Sequence, residues 1–151
     1  MDFILNKNTR GLVLNEEMFY WVLDEKKITS QEEVIEALKN KAEFNTLMVS
    51  HLEDEHTTFE FKNGTWNAEW LISVLEDRYH ETKDKYMFNV GMYAENIDDD
   101  YANPFELSGP LLVNGKYITA NSGKEAFDML GEVIDIIISK LENYSPEEDE
   151  E

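Results

Sequence analysis

The sequence predicts an α+β fold: a mainly antiparallel sheet of hairpins with three to four helices packed against one face. Three observations carry that prediction. Segments of helical period, "TSQEEVIEALKNKAEF" and "NSGKEAFDMLGEVIDIIISKL", stand apart from alternating β-rich runs such as "KYMFNVGMYAEN". Two Asn-Gly pairs, Asn63-Gly64 and Asn114-Gly115, mark hairpins, because both residues tolerate positive φ. A length of 151 residues, 42% of them hydrophobic and 12% aromatic, suffices for one core without cross-links.

After Phe3–Leu5, "LNEEMFYWVLDEKK" reads as the first helix, with Asn15 as cap and Glu16 and Glu17 at the positive end of its dipole. Met18 to Leu23 are all apolar or aromatic, so a buried strand fits the periodicity equally. The second helix has Ser30 and Glu33 at capping-box spacing, then Val34, Ile35 and Leu38 on one face. "TLMVSH" and "HTTFEF" predict two antiparallel strands joined by the short loop "LEDE". "WNAEWLISVLEDRYHE" predicts a third helix, with Trp70, Leu71, Val74, Leu75, Arg78 and Tyr79 in one stripe.

"KYMFNVGMYAEN" predicts a long strand with Tyr86, Phe88, Val90 and Met92 on one face and Met87, Asn89 and Tyr93 on the other. A loop, "IDDDYANPFELSGP", and the hairpin "LLVNGKYIT" follow. The last helix opens on a Ser122/Glu125 capping box and buries Ala126, Phe127, Leu130, Val133, Ile134, Ile137 and Leu141. Residues 1–144 are expected to form a single domain, and 145–151, which contain Pro146 and "EEDEE", an acidic disordered tail.

Charge is the most informative number. Thirty-three acids against thirteen bases leave −20, and residues 86–151 hold fifteen acids to three bases. Solubility alone is served by a net charge of roughly 2–8. The excess repels nucleic acid and anionic membrane and favours fast, salt-sensitive capture of a basic partner. Eleven Lys to two Arg, with abundant Asn and Ile, is the profile of an AT-rich coding sequence, as in low-GC bacteria and their phages. The absence of Cys excludes disulfides and thiolate zinc sites. "MDFILNKNTRG" has too few consecutive apolar residues for a signal-peptide core, and no run approaches a membrane span, so a soluble cytoplasmic protein is expected.

Motifs for chemistry fail one by one. "HLEDEH", residues 51–56, sets three carboxylates between two histidines, yet matches neither H-E-x-x-H nor H-x-x-E-H; it reads as an acidic turn. "DDDYAN" lacks the Gly and Glu of a calcium loop, having Asn103 and Gly109 there. "NSGKEAF" resembles the end of a phosphate-binding loop, but Ile118 and Glu125 stand where Gly and Ser or Thr are required. The sequence therefore predicts no catalytic residue, no metal, no cofactor and no enzyme.

What remains is the surface. "ENIDDDYANPFE" carries Glu95, Asp98, Asp99, Asp100 and Glu106 beside Tyr101 and Phe105, and the 51–56 turn adds Glu53, Asp54 and Glu55. An extended strand advances about 3.3 Å per residue and a DNA strand about 3.4 Å per phosphate, so such a run presents charge at nucleic-acid density. Aromatics beside a charged rim are the usual interface anchors. These ten residues are the candidate partner-binding site. In general character the chain resembles phage-encoded anti-restriction and anti-CRISPR proteins, which are small, acidic, cysteine-poor and without catalytic motifs. That resemblance, one of composition, implies a DNA mimic that occupies the groove of a basic nucleic-acid-processing enzyme. The alternatives are an immunity protein or antitoxin against a basic nuclease, and a phage assembly or scaffolding factor.

Overall fold

A computed structural model of the chain describes residues 8–9, 12–13, 16–40, 43–76, 86–99 and 101–144. Two short strands, β1 (Asn8–Thr9) and β2 (Leu12–Val13), pair with each other. Where the sequence predicts a first helix and fits a buried strand equally, the strand forms: a 3-10 turn, Glu16–Met18, leads into β3 (Phe19–Leu23) and β4 (Lys26–Ile28), an antiparallel hairpin. Its two-residue turn puts Asp24 and Glu25 at φ 47° and 75°. Long-range contact holds it there: the Asp24 carboxylate accepts from the Asn45 and Thr46 N–H groups at 2.7 and 3.0 Å. Asp-Glu is not a turn pair that local chemistry announces.

Helix α1 (Gln31–Asn40) forms as expected, burying Val34 and Leu38. Next, β5 (Thr46–His51) and β6 (Thr57–Phe61) correct a second expectation: they do not pair with each other. Both lie on β7 (Gly64–Glu76), β5 against Ser50↔Leu71 to Thr46↔Leu75 and β6 against Thr57↔Ala68 to Phe61↔Gly64. They run in the same direction, as two halves of one strand from which residues 52–56 loop out.

The largest correction is β7 itself, a thirteen-residue strand where a third helix was expected. Trp66, Ala68, Trp70, Ile72 and Val74 alternate into the core, a period of 2 that the stripe through Trp70, Leu71, Val74 and Leu75 concealed. Arg78 and Tyr79, the end of that stripe, lie outside the described residues. Pairing on both edges, with β5 and β6 on one and β8 (Tyr86–Asn96) on the other, outweighs the helix propensity of its Ala, Glu and Leu. Strand β8 has the predicted faces, with Tyr86, Phe88, Val90 and Met92 buried.

Strand β9 (Phe105–Pro110) pairs with β8, and β10 (Leu112–Val113) with β11 (Lys116–Tyr117) across Asn114-Gly115, both at positive φ as predicted. Strand β12 (Thr119–Ala120) closes an antiparallel eight-stranded sheet of order β12-β8-β7-β5-β3-β4, with β6 on β7 and β9 on β8. The predicted last helix breaks at Met129 into α2 (Gly123–Asp128) and α3 (Leu130–Glu142). Half of its capping box forms as read, with Glu125 N–H donating to Ser122 Oγ at 3.1 Å, while the Glu125 carboxylate accepts from the N–H of Asn121, one residue before the cap. An α+β hairpin sheet under three or four helices is therefore replaced by one large antiparallel sheet with few short helices.

One core cluster joins helices and sheet. Ile134, Ile137 and Ile138 of α3 face Phe59, Trp70 and Met92, and Phe127 of α2 lies 5.8 Å from Trp21. Asn63 ties the β6–β7 turn to α3: its Nδ2 donates to the Leu141 and Tyr144 carbonyls, and its Oδ1 accepts from Trp66 Nε1. The opposite sheet face carries the alternate residues of the same strands, including Ser50, Glu69, Leu71, Gly91 and Tyr93. No helix among the described residues is long and apolar enough to cross a membrane.

A carboxylate-rimmed groove on the sheet

Where β5 leaves β7, the ladder loses bonds, and side chains replace them. Trp70 N–H donates to Nδ1 of His51 at 3.1 Å, so Nδ1 holds the lone pair and, in the neutral ring, Nε2 carries the hydrogen. Nε2 then donates to Thr57 Oγ1 at 2.7 Å, and Trp70 Nε1 donates to the same oxygen at 3.1 Å. The two ends of the 52–56 excursion are thus joined under it. His51 is only 7% exposed. Burial, reinforced by His56, pushes its pKa down from 6.5 to about 4. With both ring nitrogens engaged, His51 has no lone pair left for a metal. Among the described residues no group of three or more His, Asp and Glu is placed to hold one. His56 turns elsewhere, its Nε2 3.6 Å from Glu69 Oε2.

The pinned excursion forms one wall of a groove of about 650 Å³ on the sheet face opposite α3. Cross-strand register builds the rest. Glu69, Tyr93 and Glu106 stand in one row across β7, β8 and β9, with Ser50, Leu71, Gly91 and Ser108 in the row beside it. Glu53, Asp54, Glu69 and Glu106 line the groove, and among the described residues no Lys or Arg does. Tyr93 separates Glu69 from Glu106 in their row and the His56 ring lies 3.6 Å from Glu69, so the lining concentrates negative charge without setting these two acids directly opposite each other.

The predicted site residues divide into two groups. Glu53, Asp54 and Glu106 come together in the groove, Glu55 is exposed beside it, and Glu95 is exposed two residues beyond Tyr93 on the same face of β8. Asp98 and Asp99 belong to the turn after β8, where they also have structural work: Asp98 Oδ2 accepts from Thr65 N–H at 3.1 Å and Asp99 Oδ1 from Tyr101 N–H at 2.9 Å. Asp100 lies outside the described residues. Tyr101 is 97% exposed at this turn, whereas Phe105 is 8% exposed and packs on Tyr144 with ring centroids 5.2 Å apart. Phe105 therefore supports the loop from within.

Sequence reasoning missed Glu69, Gly91 and Tyr93 as site residues. Glu69 was assigned to a helix face. The available signal was a glycine inside a run of otherwise strong strand formers, "MFNVGMYAEN". No protein-family model, curated protein or solved structure matches the chain.

Proposed function

We propose that the protein is a small non-enzymatic inhibitor that binds a basic nucleic-acid-processing protein through the acid-rimmed groove, acting as a DNA mimic of the anti-restriction or anti-CRISPR kind in the cytoplasm. The supporting observation is the convergence of Glu53, Asp54, Glu69 and Glu106 on one open sheet face, with no Lys or Arg among the described residues that line it. Carboxylates at strand and inter-strand spacings stand in for phosphates against a basic groove. Tyr93, 41% exposed between two of the acids, is the anchor on this face, and Tyr101 with Glu95, Asp98 and Asp99 extends the acidic surface at the sheet's end.

The test is affinity capture of host proteins by the wild type and by a Glu53→Gln, Asp54→Asn, Glu69→Gln, Glu106→Gln variant. Capture of a DNA- or RNA-binding enzyme, released by competitor duplex or molar salt and lost in the variant, is the expected result. Capture of a toxin nuclease unaffected by competitor duplex would turn the reading to an immunity protein. Equal capture by wild type and variant would remove the groove from the interface.

A further inference from the structure

We infer that the hollow over Gly91 receives a single arginine side chain of the basic partner. The inference rests on the acidic-groove reading and adds the chemistry of what enters it. Gly91 lies in the middle of β8, paired with Leu71 on one side and Ser108 on the other. Its φ is not in the left-handed range, and a Cβ added to it would meet nothing within 4 Å. Neither backbone conformation nor packing requires glycine there. A glycine inside a strand weakens it and marks a bulge, a bend or a place where a ligand or another backbone approaches closely; register runs unbroken through Gly91 on both sides, so it is not a bulge. The missing side chain leaves an opening on the groove floor.

The surroundings select the occupant. Tyr93 is the next residue on the same face, and Glu69 and Glu106 flank it, two inter-strand spacings or about 10 Å apart. An aliphatic stem can lie over the Gly91 backbone beside Leu71, bringing its head to the Tyr93 ring between the two carboxylates. A guanidinium suits that place: it stacks on an aromatic face and its planar fork binds a carboxylate through two N–H groups, whereas an ammonium is a compact, strongly hydrated charge. Phosphate is repelled here, and an uncharged side chain supplies no counter-charge to Glu106 or to Glu69, from which the His56 ring lies 3.6 Å away.

The test uses two dye-labelled hexapeptides of equal charge, one arginine-rich and one lysine-rich, in anisotropy titrations at low salt. The wild type is expected to bind the arginine peptide about fivefold or more tighter than the lysine peptide. Gly91→Leu is expected to weaken arginine-peptide binding about tenfold while changing lysine-peptide binding less than about twofold. Gly91→Ala should fall between, and both variants should melt at or above the wild-type temperature, since any side chain improves the strand. Unchanged arginine-peptide binding in folded Gly91→Leu overturns the inference and leaves the groove reading standing. Failure of both peptides to bind the wild type overturns both.

Discussion

His51 makes the stability of this protein depend on pH in a window set by one buried ring. Its pKa falls from 6.5 to about 4 on folding. A base with a depressed folded-state pKa leaves the unfolded chain holding the extra proton between those two values. Stability therefore drops as pH falls from about 6.5 to about 4 and this contribution levels off below, where both states are protonated. At 1.36 kcal/mol for each tenfold change in proton affinity, the full loss is about 3 kcal/mol, a large share of the 5–15 kcal/mol typical of a domain. The geometry agrees in sign, because a proton on Nδ1 would meet the Trp70 N–H that now donates to it. The assay is urea unfolding at steps from pH 7 to pH 4, followed by the fluorescence of the buried Trp21, Trp66 and Trp70. Carboxylates titrate in the lower part of this range too, so the comparison is with His51→Gln, which keeps Glu53, Asp54, His56 and Glu69 but not the ring. The variant should start less stable at pH 7, with the gap closing as pH falls. Parallel pH profiles for the two proteins would refute the claim that burial holds His51 neutral.

Other substitutions test the frame and the charge map. Gly64→Ala should cost about 2–3 kcal/mol by urea unfolding, because φ is +132° and the new Cβ would fall 2.9 Å from Asn96 Cγ; a cost under half a kcal/mol would contradict the turn geometry. Tyr86→Phe should cost about 1–3 kcal/mol, since the buried hydroxyl accepts from Phe44 N–H at 3.0 Å and lies 2.7 Å from both Glu43 Oε2 and the Phe44 carbonyl. Its phenol, raised to about 12 by burial, should show no ultraviolet titration near pH 10 in the folded protein. Neutralising Asp98, Asp99 and Asp100 to Asn should weaken partner binding less than the fourfold groove variant does; the reverse order in binding titrations would move the interface to the end of the sheet.

Parts of the fold were legible because their signals are local. Ser30 and Ser122 mark helix starts, Asn114-Gly115 marks a turn, and β8 alternates without interruption. Strand β3 was legible only as one of two equal readings, and β7 was not legible. "NEEMFYWVL" and "AEWLISVLE" mix helix formers with strand formers, and their state is decided by partners distant in sequence: Asp24 on Asn45 and Thr46, Trp70 on His51. The site followed the same division. Glu53, Asp54 and Glu106 could be named as acids, but their convergence depends on β5 and β6 lying end to end on β7, which no local pattern encodes. Glu69 was hidden by its assignment to a helix.

The groove is built from features that weaken the sheet carrying it. Glu69 and Glu106 repel across two inter-strand spacings, about 10 Å, Asp54 sits at φ 67° in a loop that interrupts the ladder, and Gly91 adds no side chain to pack. A buried network at His51, Thr57 and Trp70 fixes the loop in spite of this. A bound cation would relieve the repulsion that the free protein bears, so binding and stability draw on the same charges. Added salt then acts in opposite directions on the two. At physiological ionic strength the screening length is about 8 Å, close to the spacing of the two glutamates, and further salt stabilises the free sheet as it weakens the complex. A surface acidic only for solubility would couple the two weakly, because widely separated charges are already screened.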